Sequence, residues 1–220
     1  MLYIVSTPIG NLKDITYRAV ETLKNVDLIA AEDTRHTRIL CNHYNIKTPL
    51  TSYFEHNKIK KAEYLMGLLG EGKEIALVTD AGTPGISDPG YHLIRLGKDR
   101  NIPMTVIPGA TALIAALSLS GLSCHNFVYE GFLPVKSAAR RKKLEKFKGE
   151  DRTVIFYESP HRVVKALKDM DEIFKDPYVV CARELTKKFE EVKGGTPSEL
   201  IDHFSNKKPR GEFVLLIHPS

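Results

Sequence analysis

An α/β fold in two parts is predicted for this chain, and three features of the sequence predict it. Short apolar runs alternate with amphipathic stretches, the pattern of strands and helices laid in layers. Polar clusters rich in Gly and Pro follow the apolar runs, as expected of loops at the carboxyl ends of parallel strands. After Gly121-Leu122-Ser123 the texture changes, and the last two strand candidates lie close together. That closeness predicts antiparallel pairing and a mixed sheet. The boundary is therefore placed near residue 122. An N-terminal domain, mostly parallel, spans 1–122, and a C-terminal domain with a mixed sheet spans 123–220.

In the first part, strands are predicted near Leu2–Ser6, Asp27–Ala31, Pro49–Tyr53, Glu74–Thr79 and Met104–Ile107. Asp14 reads as the N-cap of a helix that buries Ile15, Ala19 and Leu23 at helical spacing. A second helix runs through Lys58–Leu69 and stops at Gly70 and Gly72. Ala112–Leu119 is nearly all apolar, which predicts a helix buried on most sides. Beyond the boundary, strands are expected at Asn126–Glu130, Thr153–Tyr157, Tyr178–Ala182, Glu190–Lys193 and Glu212–His218. Between the last two, Thr196-Pro197-Ser198-Glu199 has a capping Thr, Pro at the first helical position and Glu at the third.

Composition excludes several classes. Of the 220 residues 42% are hydrophobic and 27% charged, the balance of a globular chain that needs no disulfide or structural metal. Cys41, Cys124 and Cys181 form no close pair, which argues for a reducing, cytoplasmic setting. No apolar run approaches the roughly 18–20 residues of a membrane span. The start, Met-Leu-Tyr-Ile-Val-Ser, lacks the basic region and cleavage site of a signal peptide. The net charge of +5 is local: Lys136 to Arg152 holds eight basic and three acidic residues, and the rest of the chain is balanced. Such a cluster, centred on Arg140, Arg141, Lys142 and Lys143, suits a phosphate backbone, or equally a solvated helix face.

The segment Asp80–Gly90 is the most specific candidate for chemistry. Three Gly and two Pro in eleven residues directly after an apolar strand exclude a regular element and leave backbone groups open to a ligand. Gly67 to Lys73 matches the first part of a P-loop. Glu74 then replaces the Ser or Thr that ligates Mg²⁺, and the run closes a helix instead of opening one. No Gly-x-Gly-x-x-Gly, no nucleophile elbow and no His or Cys pairing suited to a metal is found, so no metal is expected. The remaining option is a cleft ligand held mainly by backbone. S-adenosylmethionine, which carries no phosphate, is one such ligand among several.

Six stretches narrow the choice. They are Thr7 to Thr16 (TPIGNLKDIT), Ala31 to Arg35 (AEDTR), Thr79 to Gly90 (TDAGTPGISDPG), Gly131 to Pro134 (GFLP), Tyr157 to Arg162 (YESPHR) and Arg183 to Lys187 (RELTK). Together they resemble, in order and over nearly the whole chain, the small-subunit ribosomal RNA cytidine ribose-2′-O-methyltransferases. These belong to the tetrapyrrole-methylase-like (class III) S-adenosylmethionine methyltransferases. The resemblance implies two α/β domains, a homodimer, and the cofactor S-adenosylmethionine in the interdomain cleft. By position it implies a cofactor pocket lined by Pro8, Ile9, Asp80, Ala81, Gly82, Thr83, Pro84, Gly85, Ile86 and Ser87, with Pro108, Gly109, Ala110, Thr111, Ala112 and Tyr157. Two departures stand out. Pro108-Gly109-Ala110-Thr111 replaces the commoner Pro-Gly-Pro-Ser but keeps a hydroxyl. Many members also continue beyond the final strand, where this chain stops at Ser220.

The implied reaction is in-line methyl transfer to the 2′-hydroxyl of a decoding-region cytidine, in small-subunit rRNA that is at least partly assembled into the 30S particle. Orientation of the reactants can contribute on the order of 7–11 kcal/mol. A base taking the hydroxyl proton adds roughly 10²–10⁴-fold. Glu32, Asp33, Asp80 and His161 are the candidates for that base. Arg35, Arg162 and Lys187 are candidates for RNA phosphates, with Arg140, Arg141, Lys142 and Lys143 on a basic helix over Val135–Phe147. Asp33 equally suits a helix cap, and His161 a structural turn. The target nucleotide must be unpaired or flipped to enter such a site. A tetrapyrrole C-methyltransferase and a non-catalytic RNA adaptor are the rival readings.

Overall fold

The computed structural model describes residues 1–87, 89–175, 177–206 and 209–219. The chain divides into two compact units, Met1–Thr111 and Ala112–Ser220. The division falls before the apolar helix, where the sequence reading put it after, near residue 122.

In the first unit five strands, β1 (Leu2–Val5), β2 (Leu28–Ala31), β3 (Leu50–Ser52), β4 (Ile75–Val78) and β5 (Met104–Ile107), form one sheet in the order β3-β2-β4-β1-β5. Every neighbouring pair is parallel. Parallel strands are buried on both faces, so their sequences read as continuous apolar runs. Ile29, Ala31, Ala76 and Val78 join one core with α1 (Tyr17–Asn25) and α2 (Thr34–His43). Ala30, Ile75 and Leu77 join another with α3 (Lys58–Gly70) and α4 (Tyr91–Asp99). All the β-to-α loops therefore leave the same edge of the sheet. The P-loop-like run ends α3, with Gly72 at φ +87°.

One cap differs from expectation. Leu12–Asp14 forms a single 3₁₀ turn, and Thr16 caps α1 by accepting the Ala19 N–H at 3.1 Å. Asp14 is thus inside the preceding turn. A Thr two residues downstream could do the same chemistry, and Ile15 still packs on the core.

In the second unit α5 (Ala112–Ser120) precedes β6 (Phe127–Phe132), α6 (Ser137–Glu145), β7 (Thr153–Glu158), α7 (Val163–Ile173), β8 (Tyr178–Arg183), β9 (Glu191–Gly195), α8 (Pro197–Ser205) and β10 (Phe213–His218). The sheet order is β6-β7-β10-β8-β9, mixed as predicted, with β6 and β7 parallel and the other pairs antiparallel. The pairing expected of the last two strands is corrected. β9 and β10 do not pair with each other; each lies antiparallel on a side of β8. A helix joining them leaves room to cross over a strand, which closeness in sequence could not reveal. That helix carries the expected capping box, with Thr196 Oγ1 accepting from Glu199 N–H and the Glu199 carboxylate from Thr196 N–H.

Val154, Phe156, Cys181, Phe213, Leu215 and Ile217 pack one face of this sheet against α6, α7 and α8. Helix α5 packs on β8, β9 and β10. It buries Leu113, Ala116 and Leu117 but leaves Ile114 43% and Leu119 56% exposed, so it is covered on fewer sides than its composition predicts. No described helix is long and apolar enough to cross a membrane.

Candidate active site

At the carboxyl edge of the first sheet, the exits of β1, β2 and β4 are tied together by short polar contacts. The loop after β4 starts with Thr79, whose hydroxyl donates to the Glu32 carboxylate at 2.6 Å. The Asp80 N–H reaches the same carboxylate oxygen at 3.3 Å. Asp80 in turn accepts the Asp33 N–H at 3.1 Å. The exits of β2 and β4 are thus latched by two carboxylates. On the other side of β4, Thr7 and Gly82 form a two-bond antiparallel bridge at 2.9 and 3.1 Å. The Ser6 and Thr83 hydroxyls meet at 2.8 Å, and Thr7 Oγ1 donates to the Thr79 carbonyl at 3.0 Å. Gly82 and Gly85 both have φ +84°, a conformation costly for other residues, which turns this loop back over β1. After β5, Gly109 lies so near β1 that an added Cβ would stand 2.8 Å from Ser6 Cβ.

The carboxylates in this cluster are not equivalent. Burial raises the pKa of Asp80 above its ordinary 3.8, and Glu32 adds to the effect; the Asp33 N–H and His36 oppose it. Asp33 goes the other way. It caps α2 through the Arg35 N–H at 2.8 Å and is gripped by the Arg35 guanidinium at 2.7 and 3.1 Å. Those bonds hold its carboxyl well below the usual range.

Pro8, Ile9, Asp80 to Ser87, and Pro108 to Thr111 all sit in these loops; Asp88 lies outside the described residues. Ala81, Ile86, Pro108 and Gly109 are exposed, while Pro8, Ile9, Gly82 and Pro84 are buried. The sequence does not point to His36, and it points to Ser6 and Thr79 only as the first residues of polar stretches. Ser6 and Thr79 end apolar strands and read there as strand residues. His36 comes near Asp80 only through the turn of α2.

The other predicted positions belong to the second unit, where Ala112 opens α5. Three motifs meet at one edge of its sheet: Phe132 pairs with Tyr157, and Phe213 lies between Glu158 and Arg183. Tyr157 stands edge-on to Tyr129 and Phe132 at 5.1 and 5.8 Å. His161 is exposed in the turn before α7.

The basic candidates divide in a way the sequence does not show. Arg140 is 3% exposed and donates to Asp169 at 2.6 Å and to the Val135 carbonyl at 3.2 Å. This corrects its assignment to an RNA-facing surface, because a buried guanidinium paired with a buried carboxylate cannot meet a phosphate. Arg162 pairs with the buried Glu158 at 2.7 Å and donates to the Leu133 carbonyl at 3.2 Å. Lys143 bonds the Glu130 carbonyl at 2.6 Å, and Arg141 pairs with Asp169 and Glu172. Arg140, Arg162 and Lys143 brace the segment from Glu130 to Val135 through its carbonyls. Burial raises the Glu158 carboxyl pKa, against the pull of the Ser159 N–H, Arg162 and Arg140. Lys187 bridges Glu184 and Glu212 at 3.0 and 2.8 Å. Burial alone would lower its pKa, but the two carboxylates outweigh burial and raise it. Lys142 is exposed.

The sequence profile of the tetrapyrrole (corrin/porphyrin) methylases matches residues 1–201. The chain belongs to this family. Two relatives named ribosomal RNA small subunit methyltransferase I align over almost all of it. The one from Haemophilus influenzae is 50% identical, covering 99% of this chain and 78% of that protein. The one from Thermotoga maritima is 48% identical, covering 98% and 97%. Among solved structures, the Thermus thermophilus uroporphyrin-III C-methyl transferase complexed with S-adenyl homocysteine superimposes with a TM-score of 0.70. It covers 98% of this chain and 96% of that chain at 16% identity, a likeness of fold. Both α/β units are thus those of a tetrapyrrole methylase.

Proposed function

We propose that this methylase uses S-adenosylmethionine to methylate small-subunit ribosomal RNA, at the ribose 2′-hydroxyl of a cytidine in the decoding region. The reading rests on relatives at about half identity over the full chain that carry the small-subunit methyltransferase name. They make an RNA substrate a better reading than a tetrapyrrole. It further includes action in the cytoplasm, as a homodimer, on an at least partly assembled 30S subunit.

The loops after β1, β4 and β5 fit the cofactor. They offer exposed backbone at Ala81, Pro108 and Gly109, the hydroxyls of Thr83 and Thr111, and the half-buried Asp80 carboxylate. These are partners for ribose hydroxyls, an amino-acid zwitterion and a cationic centre. When bound, S-adenosylmethionine supplies a methyl group already activated by its sulfonium. The Thr7–Gly82 bridge and the Ser6–Thr83 contact fix the loop that would orient it.

Of the four carboxylate and imidazole candidates, the geometry favours Asp80 as the base. Its raised pKa makes it a better proton acceptor than Asp33, which is committed to Arg35 and the α2 cap. Glu32 is engaged by Thr79 and the Asp80 N–H and serves to hold Asp80 in place. On proton transfer from the 2′-hydroxyl, Asp80 becomes neutral, and burial favours that form.

The test is transfer of labelled methyl from S-adenosylmethionine to small subunits purified from a strain lacking the enzyme, with naked RNA in parallel. Identification of 2′-O-methylcytidine by mass in the decoding region is the expected result. Labelling of a porphyrin precursor instead would replace the RNA reading with the tetrapyrrole one.

A further inference from the structure

Part of the patch of charge most obvious in the sequence is spent inside the second unit: Arg140, Arg141 and Lys143 are engaged by Asp169, Glu172 and the carbonyls of the β6–α6 segment, while Lys136, Lys142, Lys146 and Lys148 stay exposed. A second basic surface, dispersed in sequence, lies beside the carboxylate cluster of the first unit. Helix α2 starts where Glu32 and Asp33 end, and from Thr34 to His43 it contains two Arg and two His but no Asp or Glu. Thr37, Leu40 and Cys41 face the core, which turns Arg35, Arg38 and Ile39 outward, Ile39 at 59% exposure. Arg38 forms no ion pair with a described residue, and the Asp33 carboxylate at the start of the helix is already paired with Arg35.

Strand β3 brings a second element to the same place. Its register with β2 sets Ser52 beside Ala31, and the Tyr53 N–H donates to the Ala31 carbonyl at 2.7 Å. The residues that follow, Phe54 to Asn57, therefore leave the sheet beside Glu32 and Asp33. Phe54 is 37% exposed with the exposed His56 edge-on at 6.3 Å. The first turn of α3 then adds the exposed Lys60, which also lacks an ion-pair partner among the described residues. Exposed cations on α2 and α3 and an exposed ring on the segment between β3 and α3, where the one acid, Glu55, is paired with Lys58, are the kinds of element that hold an unpaired nucleic-acid strand: charge follows the phosphates and the ring stacks a base.

Resting on the reading that the substrate is RNA, we propose that the exits of β2 and β3 and the outer face of α2 form the track for the single-stranded RNA flanking the target nucleotide. Arg38 and Lys60 contact phosphates, and Phe54 stacks a base. Arg35 shields Asp33 so that a polyanion can approach the acidic cluster.

The test measures binding of a short unstructured RNA oligonucleotide as a function of salt, alongside KM for small subunits and affinity for S-adenosylhomocysteine. In the double variant Arg38→Gln/Lys60→Gln, the slope of log affinity against log salt should fall by about 0.7 for each cation removed. Phe54→Leu should weaken RNA binding on the order of tenfold with an unaltered slope. Both should leave S-adenosylhomocysteine affinity at the wild-type value. A wild-type slope and KM in the double variant, while the wild-type enzyme still methylates RNA, would overturn the track and leave the proposed function standing. A change in self-association with an unaltered slope would also overturn it, marking this face as a contact between copies. Failure of the wild-type protein to bind or methylate RNA would remove the underlying reading and the track with it.

Discussion

The Asp80 carboxylate accepts the backbone N–H of Asp33 at 3.1 Å, so the loop after β4 is fastened to the point where β2 gives way to α2. One carboxylate therefore holds two strand exits in register while its own ionisation is made less favourable by burial. The same two residues differ in protonation behaviour because one lies in the cleft of loops and the other faces a guanidinium.

Replacing Asp80 by Asn tests that difference. Folding raises the Asp80 pKa, so between 3.8 and the raised value the folded protein holds a proton that the unfolded chain has released. Stability from this group is present at low pH and is lost as pH rises through the raised value. Asp80→Asn, which keeps an acceptor for the Asp33 N–H, should leave Tm at neutral pH unchanged or higher while kcat falls by about 10²-fold or more. In the wild type, activity should fall as pH drops through a value above that of an ordinary carboxylate. A kcat within a few-fold of wild type in the Asn variant would exclude Asp80 as the base.

Asp33→Asn should behave differently. Asn is as good an N-cap as Asp, so α2 keeps its start. Because Arg35 holds Asp33 ionised far below the working range, removal of its charge should not move the acid limb of the pH–rate profile. A displaced limb would return Asp33 to consideration as the proton acceptor.

The Arg140–Asp169 pair, both partners buried, makes a prediction about stability. Asp169→Ala leaves a guanidinium buried without its carboxylate and should cost about 3–5 kcal/mol in urea unfolding of the full chain. The double change Arg140→Met/Asp169→Leu removes both charges and should recover most of that loss. If the single and double variants were equally unstable, the pair would not be the cause.

At Gly109, a methyl group would stand 2.8 Å from Ser6 Cβ, closer than such atoms come. Gly109→Ala should push the exits of β1 and β5 apart. Overpacking of this kind costs about 1–3 kcal/mol of stability, and the displaced Pro108–Thr111 loop should separately lower S-adenosylhomocysteine affinity, on the order of tenfold, about 1.4 kcal/mol of binding. Calorimetric titration checks this, and unchanged affinity would place the Pro108–Thr111 loop outside the cofactor site.

The sequence by itself determined the layering, the strands and the loops, because each depends on residues close together in the chain. Apolar runs such as Ile75–Val78 must be buried, Gly82 and Pro84 forbid a regular element after them, and Thr196 with Glu199 starts a helix wherever it lies. Six motifs also carried the family resemblance. Tertiary structure alone decided which charges remain available. Arg140 and Arg38 look alike in sequence, but Asp169, distant in the chain, neutralises one, and no described acid reaches the other. It also decided that β10 inserts between β7 and β8 instead of pairing with β9, and that Asp80 and Asp33 share a hydrogen bond. The physical reason is common to all three. Burial and charge pairing depend on contacts between residues far apart in the chain, and neither spacing nor local composition encodes those contacts.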